Sequence, residues 1–327
     1  VKVLAVIPTL AHDTERLNES IESLRTHSGH HPFQILVINN SGRPLIDGLA
    51  PVDYVVSPGI NLGYVGALEL ARRTHHSDFL WSIQDDMTLQ NGVLDVLLSE
   101  MEKSPRLAVC SPVLVSNGLV PARSRAGVFT NPERTRWENH PVEDTKPADF
   151  SSDVDYSFVA GSGALFRNTA LEDIDGFNLD LYPLMHVDVD VCARFLSKGW
   201  KIALAPEAHI NHEIQGSTPR VLGIAMDKRN RSIVEQRLEG GQAETVGVFD
   251  PIDTDIVFAV ARRASFLLLE VSREATAQLT DAVSRMNELE SQIRQIKRST
   301  SWKVNAPIRV LASIFLPRRK RSGEPHG

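Results

Sequence analysis

The chain has 327 residues, a net charge of −6, 23% charged and 42% hydrophobic residues, which is the profile of an ordinary globular protein longer than one typical domain. The acidic balance excludes a general nucleic-acid binder, and the two cysteines, Cys110 and Cys192, are too far apart for a disulfide framework or a zinc site. Those cysteines fit a reducing cytoplasm; no run is apolar for long enough to span a bilayer, and Val1–Pro8 is too short and strand-like for a signal peptide.

Val3 to Ile7 predicts a first strand closed by Pro8-Thr9, and Leu17, Ile21 and Leu24 mark the buried stripe of a helix over Asp13 to Leu24. Gln34 to Ile38 predicts a second strand, which ends in the turn formers Asn39-Asn40-Ser41-Gly42. A short third strand at Tyr54–Val56 leads through Gly59, Gly63 and Gly66 to a helix over Ala67 to Arg73. Glycines there invite a phosphate-loop reading, but a dinucleotide fingerprint needs them after the first strand and a P-loop needs Gly-Lys-Ser/Thr. Both are missing. Alternating strands and helices predict a mostly parallel sheet covered on both faces.

Phe79, Leu80, Trp81 and Ile83 predict a buried strand that ends abruptly in Gln84-Asp85-Asp86. Ligands collect at the carboxyl ends of strands in open α/β sheets, and paired hard oxygen ligands suit Mg2+ or Mn2+. The competing explanation is that one Asp caps a following helix. A helix is predicted from Asn91 to about Met101, then strand character over Leu107 to Val115. Residues 117–155, rich in Pro, Arg, Asn and Asp, predict a long functional loop or acceptor flap. Further strand character lies at Ser157–Ala160 and Ala164–Phe166, around the close-packing stretch Gly161-Ser162-Gly163.

Val187, Val191 and Phe195 predict a helix that begins close to Asp188 and ends near Gly199. Asp188 in its first turn is either an N-cap or a functional carboxylate that the helix N-terminus keeps ionised, whereas Asp190 and Arg194 have the spacing of a structural ion pair. Trp200 to Ala205 predicts a strand, with His209 structural. Beyond about residue 260, Leu269, Ser272, Thr276, Leu279, Val283, Met286, Leu289, Ile293 and Ile296 follow coiled-coil-like steps with one slip, which suits self-association, with one long helix packing back on the first domain as the alternative. Val310 to Leu316 next to Arg318-Arg319-Lys320-Arg321 suits contact with an anionic membrane surface, with a disordered basic tail as the rival reading.

The order of these pieces resembles family 2 glycosyltransferases: the Pro-Thr strand end, Val37-Ile-Asn-Asn-Ser41, Asn61-Leu-Gly-Tyr-Val-Gly66, Asp85-Asp86, Gly161-Ser-Gly-Ala-Leu-Phe-Arg167 and Gly176-Phe177. His186-Val-Asp-Val-Asp-Val-Cys-Ala-Arg194 is similar to the His-Val-Asp-Thr-Glu-Trp-Cys-Leu-Arg stretch of bacterial rhamnosyltransferase-like members, and Ser301-Trp-Lys-Val-Asn-Ala-Pro-Ile-Arg309 resembles a motif that follows their coils. The resemblance covers roughly residues 1–235 and implies the GT-A (nucleotide-diphospho-sugar transferase) fold. The organisation it suggests is a GT-A domain over 1–235, a connecting helical segment over 236–263, a long helix or coiled coil over 264–298 and an amphipathic, basic tail over 299–327.

The resemblance also implies roles. A nucleotide-diphosphate sugar donor would meet Pro8, Thr9, Asn39, Asn61, Gly63, Gln84 and Asp85. A divalent metal, Mn2+ or Mg2+, would be held by Asp86 and by His212, which precedes a Gly-Ser; the split between Asp85 and Asp86 could be reversed. Asp188 would be the base of an inverting transfer, with Gly161, Ser162 and His186 on the acceptor side. Arg229-Asn230 would meet phosphate or pack a helix. Relatives often carry an acidic residue at the position of Asn39; an amide oxygen there can still accept a bond from the base, so the nucleotide stays open. The implied activity is transfer of a sugar, rhamnose first, to a bacterial cell-surface or cell-wall glycan, free or lipid-linked, by a cytoplasmic enzyme peripheral to the inner face of the membrane. A galactofuranosyl or other hexosyl transferase of the same fold and a non-catalytic scaffold for glycan assembly are the alternatives, with a nucleotidyltransferase disfavoured by the missing glycine- and arginine-rich loop after Pro8.

Overall fold

The computed structural model describes residues 1–44, 48–120, 126–140, 146–151, 154–212, 220–240 and 255–298. The chain divides into two units, Val1–Val271 and Ser272–Gly327. The Gly216-Ser217 pair and the apolar and basic tail lie outside the described residues.

The first unit is built on one sheet. Its strands are β1 (Val3–Thr9), β2 (Gln34–Asn39), β3 (Tyr54–Val56), β4 (Phe79–Ser82), β5 (Met87–Leu89), β6 (Leu107–Val115), β9 (Leu165–Arg167) and β10 (Lys201–His212). They lie in the order β3-β2-β1-β4-β9-β6-β10-β5. β9 runs antiparallel to β4 and β6, and β5 antiparallel to β10, while the other pairings are parallel. The chain winds outward from β1 to β2 and β3, then crosses back to β4 on the other side, so the topological switch lies between β1 and β4. Thr9 and the Asp85-Asp86 turn leave the sheet there.

Alternation along the strands divides the core between two faces. Val3, Ala5 and Ile7 pack with Leu17 and Ile21 of α1 (Thr14–His27) and Leu94 and Leu97 of α3 (Val93–Lys103). Leu4, Val6, Leu36 and Ile38 belong to the other face, with Leu68 of α2 (Gly63–Thr74) and Val191 and Phe195 of α5 (Val187–Ser197). Each such aliphatic side chain contributes roughly 1.5–3 kcal/mol by leaving water. α4 (Asn168–Asp173) follows β9. α6 (Arg220–Glu239) and α7 (Ile256–Arg298) complete the described helices.

Four stretches differ from expectation, each for a local reason. β5 follows the Asp pair directly, so neither Asp85 nor Asp86 caps a helix; α3 starts later, behind Gly92. Residues 117–155 are not uniformly irregular: β7 (Gly127–Phe129) and β8 (Trp137–Asn139) pair as a hairpin, each strand too short to show a period. The expected strand at 157–160 reduces to a single bridge from Phe158 to Gly127, and a Cβ on Gly127 would sit 2.3 Å from the Glu138 carbonyl. β10 runs six residues beyond Pro206, because its ladder to β6 is interrupted between Ala205 and His209 and the proline falls in that bulge.

Candidate active site

At the switch point the turn after β4 is tied to both neighbours. Thr9 donates its hydroxyl to Asp85 Oδ2 at 2.5 Å, and Arg16 of α1 reaches Asp85 Oδ1 at 3.4 Å. Ser20 of α1 donates to the Gln84 carbonyl. Gln84 in turn donates from Nε2 to Ser162 Oγ at 2.9 Å, which joins the turn to the loop before β9. Each oxygen of Asp85 therefore has one partner within the chain.

Asp86 differs. Its side chain is 11% exposed and faces His212 at the end of β10, with 3.2 Å between Asp86 Oδ1 and His212 Nε2. The register that pairs His212 with Met87 brings these two side chains together. Among the described residues Asp86 Oδ1 makes no hydrogen bond beyond that approach to His212 Nε2, and His212 Nδ1 makes none, although both atoms are buried. Burying such atoms without partners costs about 1–3 kcal/mol each, so an oxygen and a nitrogen in this state fit a group supplied from outside the chain. Among the described residues no third His, Cys, Asp or Glu completes a metal cluster. Two protein ligands are what Mg2+ or Mn2+ takes when phosphate oxygens fill the remaining positions.

Opposite this turn, α5 starts at His186, whose φ of +58° follows Met185 at +79°. Two successive left-handed non-glycine residues are held by Asn230, which donates to the carbonyls of Leu184 and Met185, and by Asp227, whose carboxylate lies 3.0 Å from His186 Nε2. His186 sits at the N-cap, so Asp188 is a first-turn residue and not the cap. Its carboxyl is raised above the ordinary value by burial, which outweighs the opposing pull of His186 and the backbone N–H of Val189. Desolvation therefore outweighs the pull of the helix N-terminus toward the ionised form. Gly161 passes close by, since a Cβ there would lie 3.6 Å from Asp188 Cβ and 3.1 Å from the Tyr64 hydroxyl.

No protein-family model matches the chain. It is 25% identical over 221 residues to the O-antigen chain rhamnosyltransferase WbaN of Salmonella anatum, a match covering 66% of this chain and 67% of that protein. Among solved structures it is similar to GalNAc-T7 with UDP, GalNAc and Mn2+, at 10% identity over 85% of this chain, with a TM-score of 0.53. The match spans 57% of the length of that structure. The mannosyltransferase PcManGT from Pyrobaculum calidifontis, in complex with GDP-Man and Mn2+, matches 96% of this chain and 87% of its own at 13% identity and a TM-score of 0.46. The fold is that of the GT-A glycosyltransferases.

Within the GT-A frame, Gln84, Asp85, Asp86, Thr9, Ser162 and His212 converge on the switch-point crevice, with Pro8 preceding Thr9 in β1. Gly161 links the loop of Ser162 to Asp188. Other expected donor contacts are engaged elsewhere. Asn39 is 1% exposed, and its amide oxygen already accepts from the N–H and hydroxyl of Ser41 while its Nδ2 donates to the Arg43 carbonyl. It shapes the turn after β2. Asn61 accepts from the Gly63 N–H, and Gly63, at φ +65°, lies where a Cβ would meet Pro183 at 2.6 Å. The first N–H groups of α2, at Tyr64 and Val65, donate to the Pro183 carbonyl and are not open to a phosphate.

Arg229 donates to the carbonyls of Asp180 and Tyr182, so it packs α6 on the loop before α5. His209 bonds the Pro206 carbonyl at 2.8 Å in the bulge of β10. His186 presents its ring edge-on to Trp137 of β8 at 5.7 Å, and Arg231 stacks on that indole at 4.7 Å, which docks the hairpin against α6. Two residues near the site escaped the sequence reading. Tyr64 shares a 2.8 Å hydrogen bond with Ser82, and burial raises its hydroxyl pKa far above the ordinary value. Arg16 has only helical position as a signal. No helix among the described residues is long and apolar enough to cross a membrane.

Proposed function

We propose that the chain is a metal-dependent, inverting glycosyltransferase that moves a sugar, rhamnose in the favoured case, from a nucleotide-diphosphate donor to a bacterial cell-surface or cell-wall glycan, free or lipid-linked. The observation that carries the reading is the close, buried approach of Asp86, just after β4, to His212, at the end of β10, with Asp86 Oδ1 and His212 Nδ1 making no hydrogen bond of normal geometry among the described residues. Asp86 and His212 would hold the divalent metal, which when bound neutralises charge on the leaving diphosphate. Thr9 and Arg16 keep Asp85 at the rim of the crevice, where a sugar or ribose hydroxyl can donate to it. Gln84 and Ser162 hold the floor between the two sides. Asp188 takes the proton from the acceptor hydroxyl as that oxygen bonds to the anomeric carbon and the diphosphate leaves from the opposite face. A raised pKa makes its carboxylate a stronger base, provided the pH stays above that value. The WbaN relative supports rhamnose and a surface glycan, and the basic run at Arg318–Arg321 supports work at the inner membrane surface.

The test is donor binding and turnover across UDP-, dTDP- and GDP-sugars with Mn2+ or Mg2+. One nucleotide class should bind only with metal; Asp86→Ala should weaken that binding, while Asp188→Asn should keep it and lose transfer. Absence of binding to any donor by the folded protein with metal present would leave the scaffold reading in its place.

A further inference from the structure

Helix α7 runs 43 residues, about 65 Å at 1.5 Å per residue, and from Leu268 onward it carries an apolar stripe. Leu268, Leu279, Met286 and Leu289 are 54–69% exposed, and Val283 is 43% exposed. The slip read from the sequence disappears when every seventh residue is followed. Ser272, Leu279, Met286 and Ile293 then form one heptad position and Leu268, Ala275, Ala282, Leu289 and Ile296 the other, alternating in unbroken steps of three and four. Leu269 and Val283 flank the seam, and Arg273, Glu274, Asp281, Arg285 and Glu288 lie off it. Four heptads of this kind are long enough for a coiled coil. The charges next to the stripe are of both signs, unlike the basic polar face of a helix that lies in a lipid surface.

We infer that this stripe is the interface for a second copy of the same chain, with the two helices antiparallel. Two observations select that occupant. The stretch from Leu268 to Arg298 is its own charge complement: five acidic residues lie between Glu270 and Glu290, while three of its five basic residues lie between Arg294 and Arg298. Running two copies in opposite directions sets each basic end beside the other's acidic start, whereas parallel copies align like with like. Side-chain size gives the same answer. Parallel copies would set Ala282 against Ala282 and leave a gap, but antiparallel copies set Met286 of each over Ala282 of the other, flanked by Leu279 against Leu289. Large against small fills the centre evenly. The inference does not depend on the catalytic reading.

The experiment measures the mass of the full chain in solution at tens of micromolar by light scattering after size exclusion, for wild type and for Leu279→Glu combined with Leu289→Glu. Wild type should have twice the chain mass of 36.2 kDa, and the double variant should fall to one chain mass with its helical circular dichroism and donor binding unchanged. Orientation is read by disulfide trapping: Leu279→Cys and Leu289→Cys proteins should cross-link when mixed, and neither should cross-link with itself. A monomeric wild type, or a dimer that survives the double variant, overturns the interface. Self-cross-linking of Leu279→Cys overturns the antiparallel arrangement.

Discussion

The turn after β4 and the first turn of α5 each present two carboxylates, and in each region one is tied down while the other is left exceptional. Asp85 is held by Thr9 and Arg16, whereas Asp86 keeps an oxygen with no hydrogen bond. Asp190 is bound by Arg194 at 2.9 Å, by Arg237 at 3.3 Å and by Asn178, whereas Asp188 has no cation within ion-pair reach among the described residues and its carboxyl is raised by burial. A carboxylate that serves the fold is surrounded by donors from its own chain. Asp86 and Asp188 lack that full set of side-chain donors among the described residues. The two regions differ in how that is achieved: the turn leaves an atom unbonded, and the helix leaves a charge unpaired.

The comparison breaks first if Asp188 and Asp190 turn out to be interchangeable. Asp188→Asn should lower the transfer rate by roughly 100- to 10,000-fold with donor affinity unchanged, measured by steady-state kinetics and calorimetry. With Asp188 intact, the acid limb of the turnover profile should lie above the ordinary carboxylate pKa of 3.8, because the base works only when ionised and its folded pKa is raised. Asp190→Ala should do the reverse. It strands Arg194, which is 6% exposed, so thermal or urea unfolding should show a loss of about 3–5 kcal/mol, with catalysis per folded molecule little changed.

The contrast within the turn is sharpened by Asp86→Ala, expected to weaken Mn2+-dependent donor binding by about 100-fold in titration calorimetry while stability holds or rises as an unbonded oxygen is removed. The smallest effect belongs to Arg16→Ala. Its 3.4 Å pair with Asp85 is about one-quarter exposed, so denaturant unfolding should register less than about 1 kcal/mol.

What the sequence made legible followed from periodicity and order. β1, β2, β4, α1 and α5 each carry enough apolar residues at period 2 or 3.6 to declare themselves, and Gln84-Asp85-Asp86 and His212 stand out by chemistry at their ends. The close approach of Pro183 to Gly63, from 120 residues away, has no local signature, so a glycine that makes room for a loop resembled one that makes room for phosphate. Asn39 misled for a similar reason: its residue type could read a base, but Ser41 two positions on had already taken its oxygen. Tyr64 was hidden because it lies on α2 and its partner Ser82 at the end of β4. Three-residue strands such as β5, β7 and β8 are fixed by their neighbours in the sheet and not by any pattern of their own.

The bulge in β10 carries a consequence of parity. Between the rungs Ala205–Pro112 and His209–Val113, β10 spends three residues where β6 spends none. Side chains alternate along a strand, so that odd surplus decides which face of the sheet His212 looks out from. Shortening the bulge by a single residue would leave every ligand type in the sequence and the ladder to β5 available, yet turn the imidazole to the side of the sheet away from Asp86. In this protein the face from which one histidine looks out is set by how many residues precede it out of step.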